Sequence, residues 1–545
     1  MSGIKSEDFI EELRFDLKAK DMLKARLVLA HLGDVDKKTQ RLTLFELSRA
    51  ADDMAIELIV GVLASQPELE DRYPQLKEVL YLKALDSPTT FLTLLSKTKK
   101  KSHQALMAEI AGEIRLDGAT PVLLEILNTE HDQQVLKSAV AALGMLGDLS
   151  ATTAVSEYLY AGSMELIASA ISALGQFASP TAIQRLWERL DTDPQLDIMI
   201  LDALAASQIP EALEKLNQTL SSQHAHLRNA GKQCLRKIGV KAVPVLIGNL
   251  HHDDPDLLVH TLDVLGQIGD DSAIVPIRKL LFNEPRDPNV RFAAYEAMGN
   301  LSASKGAFAL AQGLHDPVDN VRIAAARAID TNYNLVLSAG LKNMLRSDSP
   351  EARQIGQTLI DAECDRIFLD LIEQEPFRKR AAEYLQQEAH PDIREHFLQI
   401  LRANGFSDLA AEIDTRQANS SASAPCVYAV DDSKMVLSIY RTMLHKLGCN
   451  LQLFAVPAEA LAQIREEKPD LVLTDLNMPE INGIELTREI RRLYDRKQLP
   501  VVMVTTQGES QDRQAALSAG VNTILHKPFT EEMIAGVLSE FIPPH

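Results

Sequence analysis

A chain of 545 residues and 60.1 kDa is too long for one ordinary folding unit and implies several, or a repeat array. With 76 acidic against 56 basic side chains its net charge is −20. That excess argues against general binding to nucleic acid or an anionic membrane, whose phosphates need cations. Hydrophobic residues at 46% and charged residues at 24% fit a folded chain with a large core. Aromatics are few, with Trp187 the one tryptophan, which suits packed helices of Ala, Leu, Ile and Val. Cys234, Cys364, Cys426 and Cys449 form no CxxC pair, so neither a zinc site nor a disulfide framework is indicated. The start, MSGIKSEDFIEELRF, is acidic where a signal peptide would be basic and then apolar. No apolar run approaches the ~18 residues of a membrane span. The expectation is a cytoplasmic protein with no membrane insertion.

In chain order, residues 1–104 are helical in pattern, with Ser6 and Glu7 as a helix start and no assignable repeat register. Residues 105–416 repeat themselves. Apolar anchors fall at Leu143, Leu174, Leu204, Leu235, Leu265, Met298 and Ile329, at intervals of 31, 30, 31, 30, 33 and 31. Such a period accommodates two helices and their turns, and predicts an α-solenoid. A second register sets Asp287-Pro288 before Arg291, Asp316-Pro317 before Arg322, and Asp348 and Pro350 before Arg353. Asp and Pro suit a helix start, and the arginine could reach acids of a neighbouring repeat. The pattern resembles HEAT repeats, most clearly over 105–360, with residues 390–401 as a divergent terminal repeat. The cluster His251, His252, Asp253, Asp254 before Pro255, the basic run 97–101, and His224 with His226 read as solvated turns or surface. No nucleophile, base and oxyanion set is recognisable. Residues 417–424 begin the small-residue stretch QANSSASAP, a flexible linker.

From residue 425 the pattern changes. Five short apolar runs, CVYAV, LQLFAV, DLVLTD, PVVMVT and NTILHK, alternate with five helical segments. This predicts an open parallel sheet wound on both faces, with its ligand site beyond the carboxyl ends of the strands, between β1 and β3. The residues expected there are Asp431 and Asp432 after the first strand, Asp475 ending the third, Thr505 ending the fourth, and Lys527-Pro528 after the fifth. Three converging carboxylates call for a divalent cation with oxygen ligands, such as Mg²⁺. A hydroxyl and an ammonium opposite them could hold phosphoryl oxygens.

These residues and spacings resemble the receiver domain of two-component response regulators, especially the single-domain chemotaxis receivers, across residues 425–541. The implied fold is multidomain: an all-α HEAT-like solenoid followed by an α/β, flavodoxin-like (βα)5 receiver at 425–545. The resemblance implies that Asp475 accepts the phosphoryl group and that Asp431, Asp432, Asp475 and the main-chain carbonyl of Asn477 hold Mg²⁺. It implies that Thr505 and Lys527 contact the phosphoryl group, that the Lys527-Pro528 bond is cis, and that Asn477 and Gln507 tune phosphoryl lifetime. Ile524 departs from the family, which usually has Tyr or Phe there as a rotamer switch. The implied donor is a sensor histidine kinase or phosphotransfer protein, with no enzyme activity beyond self-catalysed transfer and dephosphorylation. The expected output is control of protein contacts made by the solenoid, with an unidentified protein partner, through the face of the receiver's fourth helix, fifth strand and fifth helix. Alternatives are a phosphate sink or motility adaptor with a constitutive solenoid, and a transcription regulator. The last would need a basic recognition helix; residues 425–545 carry 16 acidic and 12 basic side chains, leaving −16 for the rest.

Overall fold

Residues 6–302, 306–414, 424–478, 481–505, 510–527 and 529–542 are described by a computed structural model. They pack as two compact units, Met1–Leu216 and Asn217–His545. The division falls inside the repeats, so the receiver shares a unit with the repeat helices that precede it. Most of the expected linker, residues 417–423, lies outside the described residues.

The first unit is helical from Ser6–Ala19 onward. Its anchors Leu143, Leu174 and Leu204 are fully buried. In the second unit the inner repeat helices are α1 (Ala225–Ile238), α2 (Pro255–Ile268), α3 (Pro288–Gly299), α4 (Asp319–Thr331) and α5 (Pro350–Asp361). Leu235, Leu265, Met298 and Ile329 are fully buried along them, each contributing roughly 1.5–3 kcal/mol of transfer free energy. Helix starts follow the Asp-Pro logic in part. Asp254 and Asp287 cap α2 and α3 through their side chains, with proline at the first helical position. Asp316-Pro317 instead forms the turn ahead of α4, and Ser349 rather than Asp348 caps α5. Of the three register arginines, Arg291 reaches across, its Nε donating to Asp316 Oδ2 at 2.7 Å. Arg322 and Arg353 pair with Asp319 and Asp348 beside their own helices.

The glycines that follow the anchors have a packing role that the period alone does not reveal. A Cβ placed on Gly266 would stand 2.8 Å from Ala297 Cα, and one on Gly144 2.7 Å from Ala173 Cα; Gly112 meets Ala142 at 2.6 Å. At these three positions one inner helix therefore approaches the next almost backbone to backbone, and only glycine leaves that space.

The second architecture begins at β1 (Cys426–Val430), followed by α6 (Lys434–Lys446), β2 (Asn450–Phe454), α7 (Pro457–Glu466), β3 (Leu471–Asp475), α8 (Gly483–Leu493), β4 (Val501–Thr505), α9 (Ser510–Ala519), β5 (Thr523–His526) and α10 (Glu531–Phe541). The strands form one parallel sheet in the order β2-β1-β3-β4-β5, as the alternation predicts. β3 and β4 are buried throughout. Tyr428, Val430, Val472 and Val501 pack with Ile464 of α7 and with Leu486 and Ile490 of α8.

The receiver meets the repeats through α6, which lies against α4 and α5, and through Phe529. Arg441 pairs with Glu363. His445 meets His390 edge to face at 4.5 Å; burial lowers both imidazoles, His390 to about 4, so neutral rings meet at pH 7. Asn320 Nδ2 donates to the carbonyl of Phe529 at 3.0 Å in a buried position, and the Phe529 ring stacks on Tyr440 at 4.8 Å. These contacts are not those of the expected output face of fourth helix, fifth strand and fifth helix.

Gly→Ala in a helix ordinarily stabilises by up to about 1 kcal/mol. Gly266→Ala should do the opposite, because overpacking of this kind costs about 1–3 kcal/mol. Gly340→Ala, with nothing within 4 Å of its Cβ position, should leave the melting temperature of the full chain equal or higher; a higher value for both would remove the seam argument.

Candidate functional site

Register alone gathers the site. Val430 lies opposite Thr474, Asp475 opposite Val504 and Thr505 opposite His526, so β1, β3, β4 and β5 deliver their last residues to one edge. Lys527 Nζ donates to Asp431 Oδ2 at 2.5 Å and to Asp475 Oδ1 at 2.7 Å. The second oxygens accept main-chain donors: Asp431 Oδ1 from Ser433 N at 2.9 Å and Asp475 Oδ2 from Asn477 N at 2.8 Å. Asp431 is 1% exposed and Asp475 7%. Burial raises Asp431 to about 6 against the opposing pull of Lys527, and raises Asp432 as well, with Asp475 adding to both. Burial by itself would lower the Lys527 ammonium, but Asp431 and Asp475 hold it well above its ordinary value.

The remaining expected residues take defined places. Thr505 is buried, and its carbonyl accepts from Lys527 N at 2.8 Å. The half-buried Asn477 lines the cleft. Ile524 is partly buried beside Leu476, Met503, Ala516 and Val521. Gln507 and Pro528, and with it the Lys527-Pro528 bond, lie outside the described residues. Sequence reading overlooked Gly483. Its Cβ would stand 2.1 Å from the Asp475 carbonyl oxygen, so glycine lets α8 begin directly against the end of β3. The local signal is Asn482-Gly483 with Glu485, a reciprocal cap in which Asn482 and Glu485 satisfy each other's main-chain N–H.

The cleft opens into a cavity of about 360 Å³ whose far wall belongs to the repeats, with Lys232, Asp263, Glu296 and Asn320 lining it opposite Asp432 and Asp475. Lys232 pairs with Asp263 at 2.9 Å. Glu296 is exposed on its helix and opens to the cavity; the protein around it, with Asp263, Asp431 and Asp432 nearby, raises its carboxyl to about 7. Asn320, 2% exposed, keeps Oδ1 without a hydrogen bond, as does the Nδ1 of buried His260. The wall residues were legible only as a column: Lys232, Asp263 and Glu296 precede the anchors Leu235, Leu265 and Met298 by two or three positions.

Two ammoniums thus face five carboxylates, and Asp432 and Glu296 have no ion-pair partner among the described residues. A hard divalent cation fits this oxygen-rich, negatively charged donor set, although no three His, Cys, Asp or Glu side chains among the described residues are already gathered as a metal cluster.

A five-stranded parallel (βα)5 domain with three aspartates and a bridging lysine at one sheet edge defines a receiver-type domain. Comparison with known proteins agrees. The family profile described as response regulator receiver domain matches residues 427–539, and the profile for HEAT repeats matches 243–330. A chemotaxis protein CheY homolog of Campylobacter jejuni is 34% identical over 115 residues, 21% of this chain and 88% of that protein. The CheY1 protein of Helicobacter pylori is 35% identical over 107 residues, 19% of this chain and 86% of its own. The aerobic respiration control sensor protein ArcB of Escherichia coli is 29% identical over 115 residues, and the chain spans 15% of its length. Among solved structures, CheY4 of Vibrio cholerae aligns over 22% of this chain and 100% of its own, at 28% identity and a TM-score of 0.21. The chain belongs to the response regulator family, with its receiver domain following a HEAT-repeat region. No described helix is long and apolar enough to cross a membrane.

Gly483→Ala should push α8 off the end of β3. Hydrogen exchange of peptides covering residues 473–486 should accelerate by about tenfold or more, as about 1.4 kcal/mol of local stability is lost; unchanged exchange would show that the close approach is unimportant.

Proposed function

We propose that the chain is a two-component response regulator in which Asp475, phosphorylated by a sensor histidine kinase or phosphotransfer protein, controls the contacts of its HEAT-repeat scaffold. The observation that carries this reading is Lys527 held between Asp431 and Asp475 at the mouth of a cavity that the repeats share. The Asp475 carboxylate oxygen forms the new bond to phosphorus while the donor's bond breaks and its electron pair leaves with the donor. Lys527 and Thr505 contact the transferred oxygens, and Asn477 N–H fixes the second carboxylate oxygen of Asp475, so the protein supplies placement and electrostatics. Mg²⁺ would be held by Asp431, Asp432, Asp475 and the main-chain carbonyl of Asn477, and when bound it supplies positive charge where negative charge accumulates. Asn477 and Gln507 tune the lifetime of the phosphoryl group, and Ile524 replaces the aromatic switch.

The output is read by charge. Phosphorylation exchanges the single negative charge of the Asp475 carboxylate for about two on the phosphoryl group, a net gain of about one, in a cavity whose repeat wall already carries Asp263 and Glu296, so phosphorylation weakens docking of α6 and Phe529 on the repeats. The receiver, residues 425–545, then exposes the face it shares with the preceding repeats of 105–416. This shared cavity favours a controlled solenoid over a constitutive adaptor or phosphate sink.

Acetyl phosphate with Mg²⁺ should label the full chain, and Asp475→Asn should abolish the label; equal labelling of that variant would remove the acceptor assignment. With beryllofluoride, hydrogen exchange should rise in α4 and α5 as well as in α6. A change confined to the receiver would mean that the repeats do not read the phosphoryl group.

A further inference from the structure

The cavity also bears on which donors can deliver a phosphoryl group. Its volume of about 360 Å³, at the roughly 10–15 Å³ of such space that one water needs, holds about two to three dozen waters. A small acyl phosphate fits such a space. A phosphorylated imidazole carried by a folded protein comes with the element that bears it, and a helix alone is about 10–12 Å across with its side chains. The wall opposite Asp475 consists of inner repeat helices, whose Lys232, Asp263, Glu296 and Asn320 line the same void as Asp432, Asn477 and Lys527. That wall is tied down at two places. Asn320 holds the Phe529 carbonyl, two residues beyond Lys527, at 3.0 Å. Arg441 of α6 is paired with Glu363 just beyond α5, with Asp392 at 3.9 Å.

We propose, on the reading of Asp475 as acceptor, that the docked repeats are a donor filter: they admit small phosphodonors to the cleft and exclude a protein donor, which reaches Asp475 only after α6 and Phe529 leave the repeats. Asn320, Glu363 and Arg441 are the specificity-determining residues, acting through docking and not by touching the phosphoryl group. The wall's carboxylates sharpen the filter, because a donor that displaced the receiver partway would bring its own phosphate charge against Asp263 and Glu296.

The filter can be measured without any phosphorylation, so its failure is separable from failure of the acceptor assignment. Asn477, which lines the cavity, is changed to Cys in the full chain carrying Cys426→Ser; Cys234, Cys364 and Cys449 are buried. Rates of modification by N-ethylmaleimide and by a maleimide carrying a long polyethylene glycol are compared, each normalised to the urea-unfolded chain. The small reagent should react in the native chain, and the polymer should lag it by about tenfold or more, because its access requires the undocked minority. Arg441→Glu should bring the polymer rate to within about threefold of the small reagent. Combining Arg441→Glu with Glu363→Arg should restore the lag, which shows that the single variant opened the contact and did not unfold the chain. Equal normalised rates for the two reagents in the parent chain, no response to Arg441→Glu, or failure of the small reagent to enter would each overturn the filter.

Discussion

Uncompensated negative charge at one sheet edge is the constraint from which the rest of this protein follows. Parallel pairing of β1, β3, β4 and β5 brings Asp431, Asp432 and Asp475 to the same place whether or not their charges agree. Lys527 answers for two of them, and burial, with Asp475 adding to it, raises the carboxyls of Asp431 and Asp432. A site in that condition gains from cations and resists further anions, so it is sensitive to a phosphoryl group. The repeats do not relieve the strain. They face it with Asp263 and Glu296, and only Lys232, already committed to Asp263, offers positive charge in return.

Docking therefore balances opposing terms. Favouring it are the packing of α6 on α4 and α5, the buried hydrogen bond from Asn320 to the Phe529 carbonyl, the neutral pair His390 and His445, and the Arg441–Glu363 ion pair. Opposing it are the carboxylates gathered across the cavity, and the orphaned Asn320 Oδ1 and His260 Nδ1. A contact held by such a difference is shifted by a change of about one or two kcal/mol, the usual scale of coupling between sites. The output then needs no ring rotation at position 524, which is consistent with an isoleucine there.

Much of this was readable from residue order. The receiver strands matched their apolar runs within a residue or two because a parallel core tolerates little else, and the acidic and basic chemistry stands at strand ends by topology. The repeat anchors were equally plain, since leucines recurring every 30 or 31 residues can all be buried together only if each closes the same kind of helix pair. Three things were less legible. The glycines after the anchors looked like helix-weakening residues until the neighbouring alanine was seen at under 3 Å. Gly483 lay in an ordinary cap, and its closeness to the Asp475 carbonyl depends on how α8 is aimed. The opposing wall could not be inferred at all, because Glu296 and Asn320 reach Asp475 only through a contact more than a hundred residues long in sequence, made by α6, whose surface carries no distinctive pattern. The small-residue stretch before the receiver left docking and detachment equally open, and the described contacts place the receiver in one unit with Asn217 onward.

The column formed by Lys232, Asp263 and Glu296 gives the wall a modular character. Asp263 and Glu296 occupy the same position before their anchors and Lys232 one residue earlier, so the sign of the charge that faces the cleft depends on which repeat stands there. One repeat further on, Arg327 stands two positions before its anchor Ile329, as Glu296 does before Met298, so sliding the array by one step would bring an arginine to the place of a carboxylate. The polarity of the response, release or capture on phosphorylation, would then be set by counting repeats and not by altering the phosphorylation chemistry.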